Sequence, residues 1–150
     1  MLPKIAMNTP LDKASALALL WLIAGIALAA GDFQTTPQGA RYKDLQTGSG
    51  ASAATGDVAT MHFVGWLDGN GNRGKELYNS RREGEPVSFV IGTDRVMPGW
   101  NECIAGMQPG GKRLLLLPAA LGYGARGVAD VIPPHARLRF IIELVGLEKQ

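Results

Sequence analysis

The tightest constraint in this 150-residue chain is a short helix that everything around it must hold in place. Pro98 suits a first helical turn, because its missing N–H would be unpaired there anyway and its φ is already helical. Gly106 suits the other end, where a residue without a Cβ closes the turn most easily in the left-handed conformation. Between them Trp100, Ile104 and Met107 fall at i, i+4 and i+7, one helical face. Isolated helices shorter than ~12–15 residues are marginal in water, and this one spans only about two to three turns. Its stability must come from burying that face.

The remaining elements read as strands. Residues 57–67 are the clearest, rich in β-branched and aromatic side chains and bounded by Gly56 and Asp68-Gly69. If Ala59, Met61 and Phe63 face the core, His62 points the other way, a strand-surface histidine without metal-ligand spacing around it. Residues 41–46 suit a first strand, and 47–56 a loop. Residues 68–74 read as a turn-rich excursion, too laden with glycine for regular structure. Residues 75–80 and 87–91 give two further strand-like pieces, separated by the charged, glycine-containing 81–86. Residues 112–117 form an apolar strand stopped by Pro118, and a long loop reaches Pro134. In residues 137–146, Leu138, Phe140, Ile142 and Leu144 alternate with Arg137, Arg139, Ile141 and Glu143, the pattern of a half-buried strand. Without a βαβ rhythm, the expected class is α+β: a twisted antiparallel β-sheet wrapped around one short α-helix.

The front of the chain has a different character. Lys4 and Lys13 precede an apolar run from Ala16 to Ala30, and the small-x-small pattern Ala27-Leu28-Ala29 follows within it. This describes a signal peptide over residues 1–29, cleaved after Ala29. The rival is a retained membrane anchor, although the run falls short of the ~20 residues that span a bilayer. Residues 30–40 read as a flexible N-terminal segment, and 41–150 as the folded domain. The expected location is periplasmic or secreted, with no stable membrane insertion after cleavage; the alternative is a domain anchored to the membrane and facing the periplasm.

A net charge of +2, with no Lys/Arg run longer than two, leaves no electrostatic footprint for nucleic acid. The single cysteine, Cys103, excludes an internal disulfide and suits a small buried hydrophobe. No nucleophile elbow, phosphate-binding glycine loop or paired His–carboxylate spacing is present. Instead Phe63, Trp100, Tyr123, Val131, Ile132 and Phe140 sit near element ends. Together they suit an aromatic-lined concave site with few polar groups.

Longer strings then carry a resemblance. Val87-x-Phe89-x-Ile91-Gly92-x3-Val96-Met97-x-Gly99-Trp100 is followed by Gly106-Met107-x2-Gly110-x-Lys112-Arg113. Then come Leu121-x-Tyr123-Gly124 and Ile132-Pro133-Pro134-His135-Ala136-x-Leu138-x-Phe140. Over roughly residues 40–148 the chain resembles the FKBP-type peptidyl-prolyl cis–trans isomerases, of an exported bacterial type. The resemblance implies a pocket with Trp100 as floor, Phe63, Val87, Val96, Met97, Val131, Ile132 and Phe140 as walls, and the Tyr123 hydroxyl at the rim. Phe63, Trp100, Tyr123 and Phe140 would be the catalytic set. It implies isomerase activity on proline-containing polypeptide clients, without metal or cofactor, and macrolide inhibitors of the family as further ligands.

Two departures stand out. Where the family typically has Phe-Asp-Ser-Ser, this chain has Leu77-Tyr78-Asn79-Ser80. Ungapped, Leu77 replaces the wall phenylalanine and Tyr78 the acid; with a one-residue gap, Tyr78 takes the aromatic position and Asn79 the acidic one. Phe63 also stands where many members carry tyrosine. Catalysis would then rest on a dry pocket, with Tyr123 or a backbone N–H near Ile132 orienting the carbonyl. The alternative is a non-catalytic proline-peptide binding module or holdase with a degenerate pocket.

Overall fold

The structure is a computed structural model and describes residues 32–150. The expected signal peptide or anchor lies outside the described residues. Phe33–Gln150 form one compact unit.

Seven strands make one antiparallel sheet: β1 (Gln34–Thr35), β2 (Arg41–Gln46), β3 (Val58–Gly69), β4 (Asn72–Asn79), β5 (Val87–Val90), β6 (Lys112–Leu117) and β7 (Leu138–Glu148). The spatial order is β1-β2-β6-β7-β3-β4. β3 is central. One of its edges pairs with β7 along Val58–Leu67, and the other pairs with β5 over Val58–Met61 and then with β4 from Val64 onward. The expected helix is α2 (Pro98–Ile104), with Gly106 at φ 88° just beyond its end. Trp100, Ile104 and Met107 are all buried, as the spacing required. They meet Leu138, Phe140, Ile142 and Leu144 of β7, Leu115 and Leu117 of β6, and Ala59 and Met61 of β3 in a single core. The antiparallel α+β expectation holds.

Three local expectations do not. Residues 68–74 are regular: β3 and β4 form a hairpin closed by Asn70 (φ 53°) and Gly71 (φ 91°). Two successive positive φ values are what a two-residue hairpin turn with the sheet's own twist demands, so Asn-Gly here continues the sheet and does not interrupt it. A second helix, α1 (Ser80–Glu83), occupies part of the expected charged linker. Its N-cap Asn79 accepts hydrogen bonds from the N–H groups of Arg81 and Arg82. A 3-10 turn, Ala119–Leu121, also opens the expected loop.

The segment expected to be flexible up to residue 40 is docked from Phe33 onward. β1 pairs with β2. Thr36 is buried, accepts from the Ala40 N–H at 3.0 Å and donates to Glu102 Oε1 of α2 at 2.5 Å. A local hydroxyl–backbone turn of this kind leaves little hydrophobic signal in the sequence.

Candidate functional site

One side of α2 is left uncovered by the sheet, and there a cleft of about 680 Å³ opens. Eleven of the twelve sequence-derived candidates line it: Phe63, Leu77, Tyr78, Val87, Val96, Met97, Trp100, Tyr123, Val131, Ile132 and Phe140. Asn79 does not. Its side-chain oxygen is occupied with the N–H groups of Arg81 and Arg82 at 3.1 and 3.3 Å, so it caps α1 and takes no place in the lining.

The floor is Trp100, almost fully buried at 3% exposure. Phe63 meets it edge-on at 4.8 Å between ring centroids, Phe140 does so at 5.4 Å, and Phe89 lies tilted at 6.0 Å. Aromatic rings favour such edge-to-face contacts because the positive ring edge meets the negative face of its neighbour. The cage therefore fixes the indole plane. Trp100 Nε1 is buried with no hydrogen-bond partner among the described residues.

Strand alternation puts Phe63 and Gly65 of β3 on the inner face, with Gly65 opposite Phe140 of β7. Gly65 is required by a close approach: a Cβ there would lie 2.7 Å from Phe140 Cε1. The β4 wall breaks alternation. Gly65 pairs with Tyr78 and Trp66 with Glu76, which leaves Leu77 as the extra residue of a β-bulge. Leu77 and Tyr78, consecutive in sequence, consequently both reach the cleft. Tyr78 stacks on Phe63, centroids 5.1 Å apart and planes 20° apart.

The opposite wall comes from the long loop after β6. Val128 and Ile132 form an isolated bridge, with Val128 N–H donating to Ile132 O at 2.9 Å and Ile132 N–H to Val128 O at 2.8 Å. Val131 N–H also donates to Val128 O, at 3.0 Å. This corrects one expectation: the backbone N–H groups at Val131 and Ile132 are spent within the loop and are not available to a substrate carbonyl. The hydroxyls of Tyr123 and Tyr78 remain as rim donors.

Sequence reasoning missed Gly65, Asp94, Arg95, Pro98, Gly122 and Val128 in the lining. Asp94 and Arg95 fall in the three unassigned positions between Gly92 and Val96. Their turn aims them at the mouth, which no periodicity announces. Among the lining residues, Asp94 supplies the only carboxylate and Arg95 the only guanidinium. His62 is elsewhere: its Nδ1 lies 2.9 Å from Ser80 Oγ, which also accepts from the Phe63 N–H at 2.8 Å.

Known proteins share both the sequence and the fold. Residues 50–145 match the family model described as FKBP-type peptidyl-prolyl cis-trans isomerase. The chain belongs to that family. An FK506-binding protein of Neisseria meningitidis serogroup A is 43% identical over 103 residues, which cover 69% of this chain and 91% of the relative. The crystal structure of AtFKBP13 superimposes with a TM-score of 0.69 at 35% identity, covering 77% of this chain and 98% of that one. That of FkpA from Escherichia coli gives 0.68 at 32% identity, covering 91% and 66%. As a member of the family, the protein is an FKBP-type peptidyl-prolyl cis–trans isomerase with a seven-stranded antiparallel sheet.

Proposed function

We propose that this isomerase accelerates proline-limited folding of exported proteins, and that the cleft over Trp100 is where it acts. The observation that supports the site is the aromatic cage: a flat, buried indole walled by Phe63 and Phe140, in a cavity whose lining is mostly apolar.

The chemistry follows from the amide bond. Resonance makes its C–N bond planar, with a barrier of ~18–20 kcal/mol, and uncatalysed prolyl isomerisation takes ~10–100 s. Charge-separated planar resonance is favoured by water around the carbonyl oxygen. A proline ring seated on Trp100 loses that water, and binding energy from the flanking chain holds the bond twisted. The Tyr123 hydroxyl orients the carbonyl from the rim. No covalent intermediate forms, and each ~1.36 kcal/mol removed from the barrier gives a tenfold acceleration. The same cavity receives FK506-type macrolides, by analogy with the FK506-binding proteins it resembles.

Export rests on residues 1–29: the basic start, the apolar run and Ala27-Leu28-Ala29. The mature protein begins near Ala30 and works in the periplasm or outside the cell. N-terminal sequencing of the exported protein checks this, and intact Met1 in a membrane fraction overturns cleavage. The activity is tested by a protease-coupled proline-peptide assay run beside an aggregation-suppression assay. Turnover that Trp100→Leu reduces supports the reading. Suppression without turnover makes the protein a binding module.

A further inference from the structure

We propose that Met97 is a reversible oxidation site: a peroxide entering the cleft converts its thioether to the sulfoxide and weakens the hold on proline. This rests on the isomerase reading of the same cleft and names a regulation of it.

The sulfur atoms of the chain differ sharply in access. There are five methionines and one cysteine. Met1 and Met7 lie outside the described residues. Met61 at 0%, Met107 at 3% and Cys103 at 0% exposure are sealed in the core. Burial also pushes the Cys103 thiol up to about 12, which leaves almost no thiolate to attack a peroxide at neutral pH. Met97 alone among the described sulfur residues is half-buried, and it lines the cleft over Trp100. Oxidation of sulfur follows its accessibility. The one reachable thioether of the folded domain is therefore also a wall of the site.

The chemistry needs only the peroxide. The Met97 sulfur attacks the terminal oxygen of a hydroperoxide, an S–O bond forms and the O–O bond breaks. Sulfur gives up two electrons, and the leaving oxygen takes the proton and departs as water or an alcohol. A methionine sulfoxide reductase reverses the step: a dithiol supplies two electrons and two protons, becomes a disulfide, and the oxygen leaves as water. Export of the chain would carry this wall beyond the reducing pool of the cytoplasm.

The position of Met97 turns that change into a loss of function. Its backbone is pinned at the start of α2, with φ −62° and ψ 147°, Pro98 in the first helical position and the Trp100 N–H donating to its carbonyl at 3.0 Å. The root of the side chain is thus fixed beside the floor. A thioether there is apolar and adaptable, whereas a sulfoxide is polar and chiral. The aliphatic lining residues Val87, Val96 and Ile132 offer the new oxygen no side-chain donor. A proline ring seated in the cleft must either strip water from that oxygen without replacing it or leave the water in place, and both weaken binding.

The test treats the full chain with hydrogen peroxide, maps the oxidised methionines by peptide mass spectrometry and measures kcat/KM on the same samples. In the native protein Met97 should oxidise at least about tenfold faster than Met61 and Met107, and denaturant should remove the difference. Turnover should fall about tenfold as Met97 is modified and return on treatment with a methionine sulfoxide reductase and dithiol. The second arm is Met97→Leu, read as the fraction of its own starting activity that survives peroxide. That fraction should stay near one. Native oxidation of Met61 or Met107 as fast as Met97 overturns the site. Full turnover with Met97 oxidised, or the same fractional loss in Met97→Leu as in the wild type, overturns its effect on the cleft. Absence of turnover before any peroxide is a different result, which overturns the isomerase reading; the site is then decided by the mapping and by proline-peptide titration of oxidised and reduced protein, where equal affinity overturns it.

Discussion

Replacing Trp100 by leucine separates its place in the core from its proposed role as the pocket floor. On the stability side, three aromatic contacts at 4.8, 5.4 and 6.0 Å are lost. At ~0.5–1.5 kcal/mol each they amount to roughly 1.5–4.5 kcal/mol. Leucine restores part of the buried apolar volume. Removing the indole also removes a buried N–H that has no partner among the described residues, and such a group costs ~1–3 kcal/mol. The net destabilisation is therefore about 1–2 kcal/mol, against ~3–5 kcal/mol for truncation of a core aromatic to alanine. For a domain of this size that lowers Tm by roughly 3–12 °C. On the activity side, a branched side chain offers no flat face to a proline ring, and kcat/KM should fall at least tenfold, about 1.4 kcal/mol of transition-state stabilisation. Kinetics are read well below the lowered Tm, with thermal unfolding followed on the same preparation. The control is Trp66→Leu. Trp66 is also buried, but it lies outside the cleft lining and beneath the guanidinium of Arg73, 4.6 Å from the ring centroid. It should lose stability while keeping kcat/KM within about twofold. Near-normal turnover by Trp100→Leu would show that the floor is ordinary core and would remove the proposed mechanism with it.

Gly65→Ala places a Cβ 2.7 Å from Phe140 Cε1; the ring must shift, and kcat/KM should drop several-fold with a destabilisation of about 1–3 kcal/mol, read by peptide assay and urea unfolding. Arg113 donates from Nε to Asp44 Oδ1 at 2.7 Å and from Nη1 to the carbonyls of Cys103 and Ala105 at 2.6 and 3.2 Å. Arg113→Met orphans the end of α2 and should cost about 2–4 kcal/mol in denaturant titrations. The Asp57 carboxyl is held below the usual range, chiefly by its hydrogen bond from Lys149 at 2.5 Å. A depressed folded-state value stabilises the fold above the unfolded value of ~3.9 and is lost as pH falls through the folded one. Asp57→Asn should therefore flatten the fall in stability on acidification below about pH 4–5, measured by urea unfolding across pH. Burial, with the charge of Glu102 adding to it, pushes the Cys103 thiol up to about 12, so alkylation at pH 8 should follow unfolding and be negligible in the native protein.

Local chemistry explains what was legible in the chain. Pro98 and Gly106 bracket α2 because each acts through its own backbone, and the i, i+4, i+7 spacing of Trp100, Ile104 and Met107 follows from helical geometry alone. The alternation in β7 was equally direct: Leu138, Phe140, Ile142 and Leu144 are all buried. The hairpin turn is local chemistry too, since Asn70 and Gly71 are residues that tolerate two successive positive φ values.

What the sequence by itself determined is thus the longer strands and α2, the buried faces of α2 and β7, and most of the residues that converge on Trp100. Tertiary structure alone decided the rest, because it depends on partners distant in the chain. Leu77 bulges only by its register against β3, so no reading of residues 77–79 in isolation could choose between the two alignments. The Ile132 N–H is lost to a substrate because Val128 takes it, and residues 33–40 join the domain through the sheet and through Glu102 on α2. Periodicity reports which way a side chain points along its own strand. It carries no information about which strand lies beside it, and that neighbour is what leaves Tyr78 stacked on Phe63 at the mouth of the cleft.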